Sequence, residues 1–286
     1  MRPSGPLRGT VKVGGAKNSV LKIMAASLLA PGRFTIRNVP AIADVAWMGE
    51  LLEHMGVSVN RVGDVLTIEV PDQLTPEAPY ELVERMRASI VVLGPLLARF
   101  GRAKVSVPGG DDFGHRPIDM HLQALEELGA TFSTSHGYIE GRAENLVGTR
   151  VLLEFPSVGA TENLLMAAVL AQGTTMIDNA AREPEIADLA DFLNAMGAKI
   201  TGAGRSVVVV EGVAELHAVE HTVIPDRIEA ATYLAAVGMA GGEITIAGAR
   251  ADHMSMLLRK VGEMGMEVNP VVNGLEVKVD QRLRSV

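Results

Sequence analysis

The chain contains no cysteine in its 286 residues, which excludes disulfides and thiolate metal sites. Aromatic residues make up only 3% of it, leaving few platforms on which nucleobases stack. No apolar run approaches the roughly 20 residues that a membrane-spanning helix needs. The richest run, Asn163 to Leu170, has the length of a buried helix. Positive charge is also scarce: the formal net charge is −8, which disfavours nucleic acid as a partner. Any anion must therefore be held by local basic groups against the overall field. No apolar signal region follows Met1-Arg2-Pro3-Ser4-Gly5-Pro6, so a soluble, cytoplasmic chain with no membrane partner is expected. With 48% hydrophobic residues, the length suffices for one large or two medium domains with substantial cores.

A helix-ending glycine recurs along the chain. Gly56, Gly129, Gly197 and Gly265 follow Glu53-His54-Met55, Leu125-Glu126-Glu127-Leu128, Asn194-Ala195-Met196 and Gly262-Glu263-Met264, at intervals of 73, 68 and 68 residues. A period near 70 residues marks one structural unit used four times. A leading strand is clearest at Thr10 to Val13 and at Val151 to Leu153. Apolar small-residue helices are expected at Val20 to Leu29, Ile90 to Leu97, Thr161 to Leu170 and Ile228 to Met239. Each turns into a short β run: Phe34 to Ile36, Lys104 to Val107, Thr175 to Ile177 and Glu243 to Ile246. A second amphipathic helix then ends at the repeated glycine, and two β runs close the unit, which reads βαβαββ. Helices such as Asn163 to Leu170 are apolar nearly all round, so they belong inside, with the sheets outside. The fold class expected is an inverted α/β prism of pseudo-threefold symmetry. Three units close one domain up to about Val219, and the fourth, alone, exposes the helix face that missing partners would cover.

Titratable groups crowd Pro108-Gly109-Gly110-Asp111-Asp112-Phe113-Gly114-His115-Arg116-Pro117-Ile118-Asp119-Met120-His121, read as a glycine-hinged loop. Arg116 supplies a planar fork for phosphate or carboxylate, and adjacent carboxylates raise each other's proton affinity; the alternative is an acidic surface turn. Val13-Gly14-Gly15-Ala16-Lys17-Asn18-Ser19 turns a strand into a helix with Lys17 near its start, where backbone amides favour an anion. It lacks P-loop spacing, and an ordinary turn explains it equally well. In Met86-Arg87-Ala88-Ser89-Ile90, Arg87 heads an apolar helix, where positive charge is unfavourable by about 0.3 to 1 kcal/mol unless an anion is shared. A surface arginine is the alternative there. Phe155-Pro156-Ser157-Val158-Gly159-Ala160-Thr161 occupies in unit three the place of Gly14 to Asn18 in unit one, so a shared phosphate-bearing ligand competes with plain capping by Ser157 or Thr161. Asp111, Asp112, His115, Asp119 and His121 lack the spacing of a metal site, so no metal and no cofactor is expected. No Ser stands in a G-x-S-x-G elbow, which argues against a Ser-His-Asp hydrolase.

With these residues the chain resembles the UDP-N-acetylglucosamine 1-carboxyvinyltransferase family, enolpyruvyl transferases of peptidoglycan precursor synthesis. Gly15 to Asn18, Met86 to Ser89, Gly114 with Arg116-Pro117, Ser157 to Thr161, Asn179 to Glu185 and Pro225 to Glu229 carry the resemblance, which runs almost end to end. The sister synthase of 5-enolpyruvylshikimate 3-phosphate is a distant second. The resemblance implies that a sugar 3-hydroxyl adds to C2 of phosphoenolpyruvate, C3 takes a proton, and phosphate leaves. Lys17 and Asn18 would then meet phosphoenolpyruvate. Arg87, the run Arg116, Pro117, Ile118, Asp119 and Met120, and the run Phe155, Pro156, Ser157 and Val158 would hold the UDP-sugar. Asp111 stands where the family has its proton donor, usually Cys and in some members Asp. An aspartate, with a reference pKa near 3.9, must be raised to serve as an acid at neutral pH, and Asp112 beside it acts in that direction.

The same resemblance frames the domain expectation. Residues 1–14 supply a strand of a second domain, residues 15–219 form a three-unit domain that carries the acidic loop, and residues 220–286 are the first unit of the second domain. The family has six units and four are read here, so a truncated UDP-sugar-binding remnant without turnover stands as the rival to an active transferase.

Overall fold

The computed structural model describes residues 5–108 and 117–286. Its chain divides into two compact units. The larger is Lys17–Val223, and the smaller joins the segment ending at Ala16 to Ile224–Val286.

The larger unit repeats one motif three times. Helices α1 (Lys17–Ala26) and α2 (Ala43–His54) belong to the first repeat. In the second, a short helix α3 (Tyr80–Val83) and a 3-10 turn (Arg87–Val92) precede α4 (Leu93–Phe100), and α5 (Asp119–Glu127) follows. The third contributes α6 (Val158–Ala168) and α7 (Pro184–Ala195). Each repeat has a four-stranded sheet whose edge strand runs parallel to its neighbour while the other pairs are antiparallel. The third sheet, for example, orders Arg150–Leu152, Thr174–Asp178, Val207–Glu211 and Lys199–Thr201.

Helices fill the interior. All nine residues from Ala160 to Ala168 of α6 are buried, polar Thr161, Glu162 and Asn163 included, and α1 is buried from Ser19 to Ala26. A helix buried all round cannot be amphipathic, and its Ala- and Leu-rich composition follows from that. The sheets alternate instead: Thr174–Asp178 and Val207–Glu211 each bury every second residue. This is the inverted α/β arrangement, sheets outside and helices within. The repeated glycines sit just past α2, α5, α7 and the helix α9 (Ser255–Glu263) of the smaller unit, at φ values of 101°, 100°, 110° and 103°. That left-handed geometry closes a helix without a Cβ clash, which is why the period was legible.

Four sequence expectations change. Thr10 to Val13 does not lead the first repeat: Leu7–Lys12 pairs in parallel with Gly242–Ala247 in the sheet of the smaller unit. The parallel edge of the first sheet is Glu220–Thr222 against Gly32–Arg37, so a segment expected at the head of the second domain lies within the larger unit. A periodic pattern marks strands but does not say which sheet a parallel edge strand joins. The helix expected from Ile90 begins as a 3-10 turn, because Pro95 has no N–H for the Val91 carbonyl and its ring crowds it. Asp119, Met120 and His121 are helical, the first turn of α5, with Asp119 placed where a helix N-terminus favours negative charge.

In the smaller unit, helix α8 (Arg227–Ala240) packs on its sheet through Ala230, Leu234 and Val237, and Asp226 caps its first turn through Ile228 and Glu229 amides. The rest of α8 is more open, with Ile228 at 50% and Met239 at 85% exposure. Among the described residues, no helix is long and apolar enough to cross a membrane.

Candidate active site

Three chain segments that start helices in the larger unit open onto one cleft of 1040 Å³. Lys17 and Asn18 at the start of α1, Arg87 at the start of the 3-10 turn, and Ser157 and Val158 at the start of α6 all line it, with Pro117, Met120 and Phe155. The three repeats place equivalent helix starts at one end of the unit, and helix starts present unpaired amides that attract anions.

Local chemistry fixes each group. Lys17 Nζ stands 2.9 Å from Asp44 of α2. Arg87 donates to the Pro117 carbonyl at 3.2 Å, tying the 3-10 turn to the segment that enters α5. Ser157 caps α6: its Oγ accepts from the Ala160 amide at 3.3 Å, and its carbonyl accepts from the Thr161 hydroxyl at 2.8 Å. Thus the capping reading of Ser157 holds, and capping leaves the same helix start facing the cleft. Phe155, 63% exposed, stands at the rim.

Ile118, Asp119 and Pro156 are not among the lining residues, although each adjoins one that is. Asp111 and Arg116 lie outside the described residues. The described residues contain no cluster of metal-binding side chains.

Two lining residues, Lys22 and Glu162, were not singled out in the sequence, and a third, His121, was read only as the end of the titratable loop and in the metal cluster set aside. Lys22 and Glu162 sit at least one turn inside their helices and His121 in the first turn of α5, where a lone polar residue resembles a surface position. Here all three are buried, and the environment changes their chemistry. Burial raises the Glu162 carboxyl to about 7, against the opposing pull of Lys22. Burial, aided by the charge of Arg87, lowers His121 to about 4. The imidazole is therefore uncharged at neutral pH. A signal was present for one of them: polar Glu162-Asn163 interrupts an otherwise apolar helix, and such an interruption inside a core requires partners.

Comparison with known proteins places this architecture. The family model described as EPSP synthase (3-phosphoshikimate 1-carboxyvinyltransferase) matches residues 1–284. A UDP-N-acetylglucosamine 1-carboxyvinyltransferase of Gluconacetobacter diazotrophicus is 54% identical over 283 residues, 98% of this chain and 67% of the relative. UDP-N-acetylglucosamine 1-carboxyvinyltransferase 1 of Caldanaerobacter subterraneus subsp. tengcongensis is 50% identical over 283 residues, 99% of this chain and 68% of that protein. The chain belongs to the UDP-N-acetylglucosamine 1-carboxyvinyltransferase family of enolpyruvyl transferases. Among solved structures, the enolpyruvyl transferase NikO of Streptomyces tendae superposes with a TM-score of 0.87 at 25% identity, covering 99% of this chain and 68% of that one. This enolpyruvyl transferase chain thus spans about 68% of the length of such relatives.

Proposed function

We propose that this chain carries the enolpyruvyl transfer site for phosphoenolpyruvate and UDP-N-acetylglucosamine, a step of peptidoglycan and hence cell-wall synthesis in the cytoplasm. The observation that carries the reading is the convergence of Lys17, Asn18, Arg87, Pro117, Met120, Phe155, Ser157 and Val158 on one cleft. Both substrates are anions, and the cleft combines the cationic side chains of Lys17, Lys22, Arg85 and Arg87 with a capped helix start, the elements that bind phosphate.

In this reading the sugar 3-hydroxyl forms the new C–O bond at C2 of phosphoenolpyruvate and gives up its proton. C3 takes a proton, with Asp111 as donor. Elimination then breaks the C2–O bond to phosphate and returns a proton from C3 to Asp111, restoring the double bond, while the proton given up by the hydroxyl ends on the released phosphate. Lys17 and Asn18 hold phosphoenolpyruvate. Arg87, Arg116, Pro117, Ile118, Asp119 and Met120 hold the UDP-sugar with Phe155, Pro156, Ser157 and Val158. No cofactor is required by this sequence of bonds.

Phosphate release from phosphoenolpyruvate tests it. Release that requires UDP-N-acetylglucosamine supports the transferase. UDP-sugar binding without release favours a non-catalytic binding protein. Asp111→Asn should abolish release while Asp112→Asn reduces it, and an active Asp111→Asn protein overturns the donor assignment.

A further inference from the structure

Lys22 lines the cleft one turn of α1 beyond Asn18 and on the same face, since residues four apart are neighbours on a helix. Its Nζ stands 3.5 Å from Glu162 Oε2, outside the ordinary hydrogen-bond range of about 2.7 to 3.2 Å. Glu162 also lines the cleft, is 1% exposed, and has no hydrogen-bond partner for either oxygen among the described residues. The next residue, Asn163, has both polar atoms of its side chain bonded. Helix α6 thus satisfies one polar group at this depth and leaves its neighbour open. An ion pair that serves packing alone is closed by hydrogen bonds, whereas this one is held only loosely.

We propose that Glu162 is a positioning residue for phosphoenolpyruvate that acts through Lys22: as a carboxylate it holds the ammonium, and as a neutral acid it leaves the ammonium to the anion in the cleft. The proposal rests on the enolpyruvyl-transfer reading, in which Lys17 and Asn18 hold that substrate at the same end of α1.

The surroundings balance the two charge states. Burial raises the carboxyl and Lys22 opposes it, while Glu185 and Glu183 of α7 act with burial, so that it titrates near pH 7. Asp188 of α7 is engaged by Ser19 and His221. From the other elements packed on α6, His121 is kept uncharged by burial, Arg87 is tied to the Pro117 carbonyl, and Arg99 of α4 to the Leu28, Pro71 and Asp72 carbonyls. The strands behind α6 carry Asp178 and Glu211, paired with Arg150 and Lys199. With Glu162 neutral, the described lining of the cleft has four cationic side chains against two carboxylates; with it ionised, four against three. An anion is therefore bound more tightly by the neutral form. By reciprocity, a bound anion raises the proton affinity of Glu162, so binding above pH 7 takes up a proton.

Calorimetry of phosphoenolpyruvate binding to the whole chain, without the sugar and hence without turnover, tests this. Because the ligand itself titrates, the quantity to read is the ratio of affinities between wild type and Glu162→Gln, which keeps the shape and removes the charge. The two should bind equally at pH 5.5, and the variant about three- to tenfold more tightly at pH 8, one unit above the midpoint. Two buffers of different ionisation heat should show wild type taking up more protons than the variant at pH 8. In a Lys22→Met background Glu162→Gln should change affinity at neither pH, because without the ammonium the acid stays neutral. A ratio that does not change with pH, or a glutamine effect that persists without Lys22, overturns the proposal. A wild-type chain that binds no phosphoenolpyruvate overturns instead the reading of the cleft. Carbon-13 NMR of the Glu162 carboxyl in the free protein then still decides the pairing: its midpoint should rise in Lys22→Met, and an unmoved midpoint overturns it.

Discussion

Lys22 Nζ of α1 stands 3.5 Å from Glu162 Oε2 of α6, within ion-pair range, and yet neither oxygen of that buried carboxyl has a hydrogen-bond partner among the described residues. Attraction across the gap is real, but it does not replace the lost hydration, so the carboxyl holds its proton up to about pH 7. Of the two descriptions, the missing hydrogen bonds carry more weight, because burial is the largest influence on this group.

A pH signature follows. Unfolded, Glu162 ionises near 4.5; folded, near 7. Between those values the folded state binds more protons, so its stability falls as pH rises and levels off above 7. Glu162→Gln removes this contribution. The stability of the variant relative to wild type should rise by about 1 to 3 kcal/mol from pH 4.5 to 7.5. Urea melts at both pH values measure it; parallel curves would show that Glu162 is ionised in the folded protein.

Asn163 should be the least replaceable polar residue of the larger unit. Its side chain bridges the Gly94 amide, the Ile90 carbonyl and His121, joining α4, the 3-10 turn and α5 to α6. Asn163→Leu strands those groups in the core, and each buried orphan costs about 1 to 3 kcal/mol. A loss of about 3 kcal/mol or more in denaturant unfolding is expected. A change under about 1 kcal/mol would mean that other donors or water take over the network.

Ser157→Ala separates capping from ligand binding. Loss of the cap on Ala160 should cost about 1 kcal/mol of stability. In calorimetry the affinity for UDP-N-acetylglucosamine should also fall, since the same residue lines the cleft. A stability loss with unchanged affinity would limit Ser157 to capping.

What the sequence revealed differs by level of structure. Gly56, Gly129, Gly197 and Gly265 announced the repeat because a left-handed residue constrains type at that position alone. The start of α6 was expected at Thr161 but lies at Val158, because the cap is made by Ser157 and not by the later hydroxyl. Lys17, Arg87 and Ser157 stood at helix starts, where residue type has local meaning, and they do meet in the cleft. Lys22 and Glu162 were missed, and His121 was noticed only as part of a titratable loop, because their significance is tertiary: each is an ordinary helical residue until α1, α5 and α6 pack together. The exchange of Leu7–Lys12 and Glu220–Thr222 between sheets is likewise a property of chain path, which no local pattern encodes.

Gly94→Ala sets helix propensity against packing. In an exposed helix interior, alanine is better than glycine by about 1 kcal/mol. At Gly94 of α4, however, an added Cβ would lie 2.4 Å from the Asn163 carbonyl oxygen and 2.9 Å from its Oδ1. The first of these is backbone and cannot rotate away, so α4 and α6 must separate, and the bond from the Gly94 amide to Oδ1 stretches with them. Overpacking of about 1 to 3 kcal/mol plus a weakened buried hydrogen bond exceeds the propensity gain. The variant should therefore be destabilised by about 2 kcal/mol or more in thermal or denaturant unfolding. A stabilised Gly94→Ala protein would show that α4 and α6 are not in this close contact.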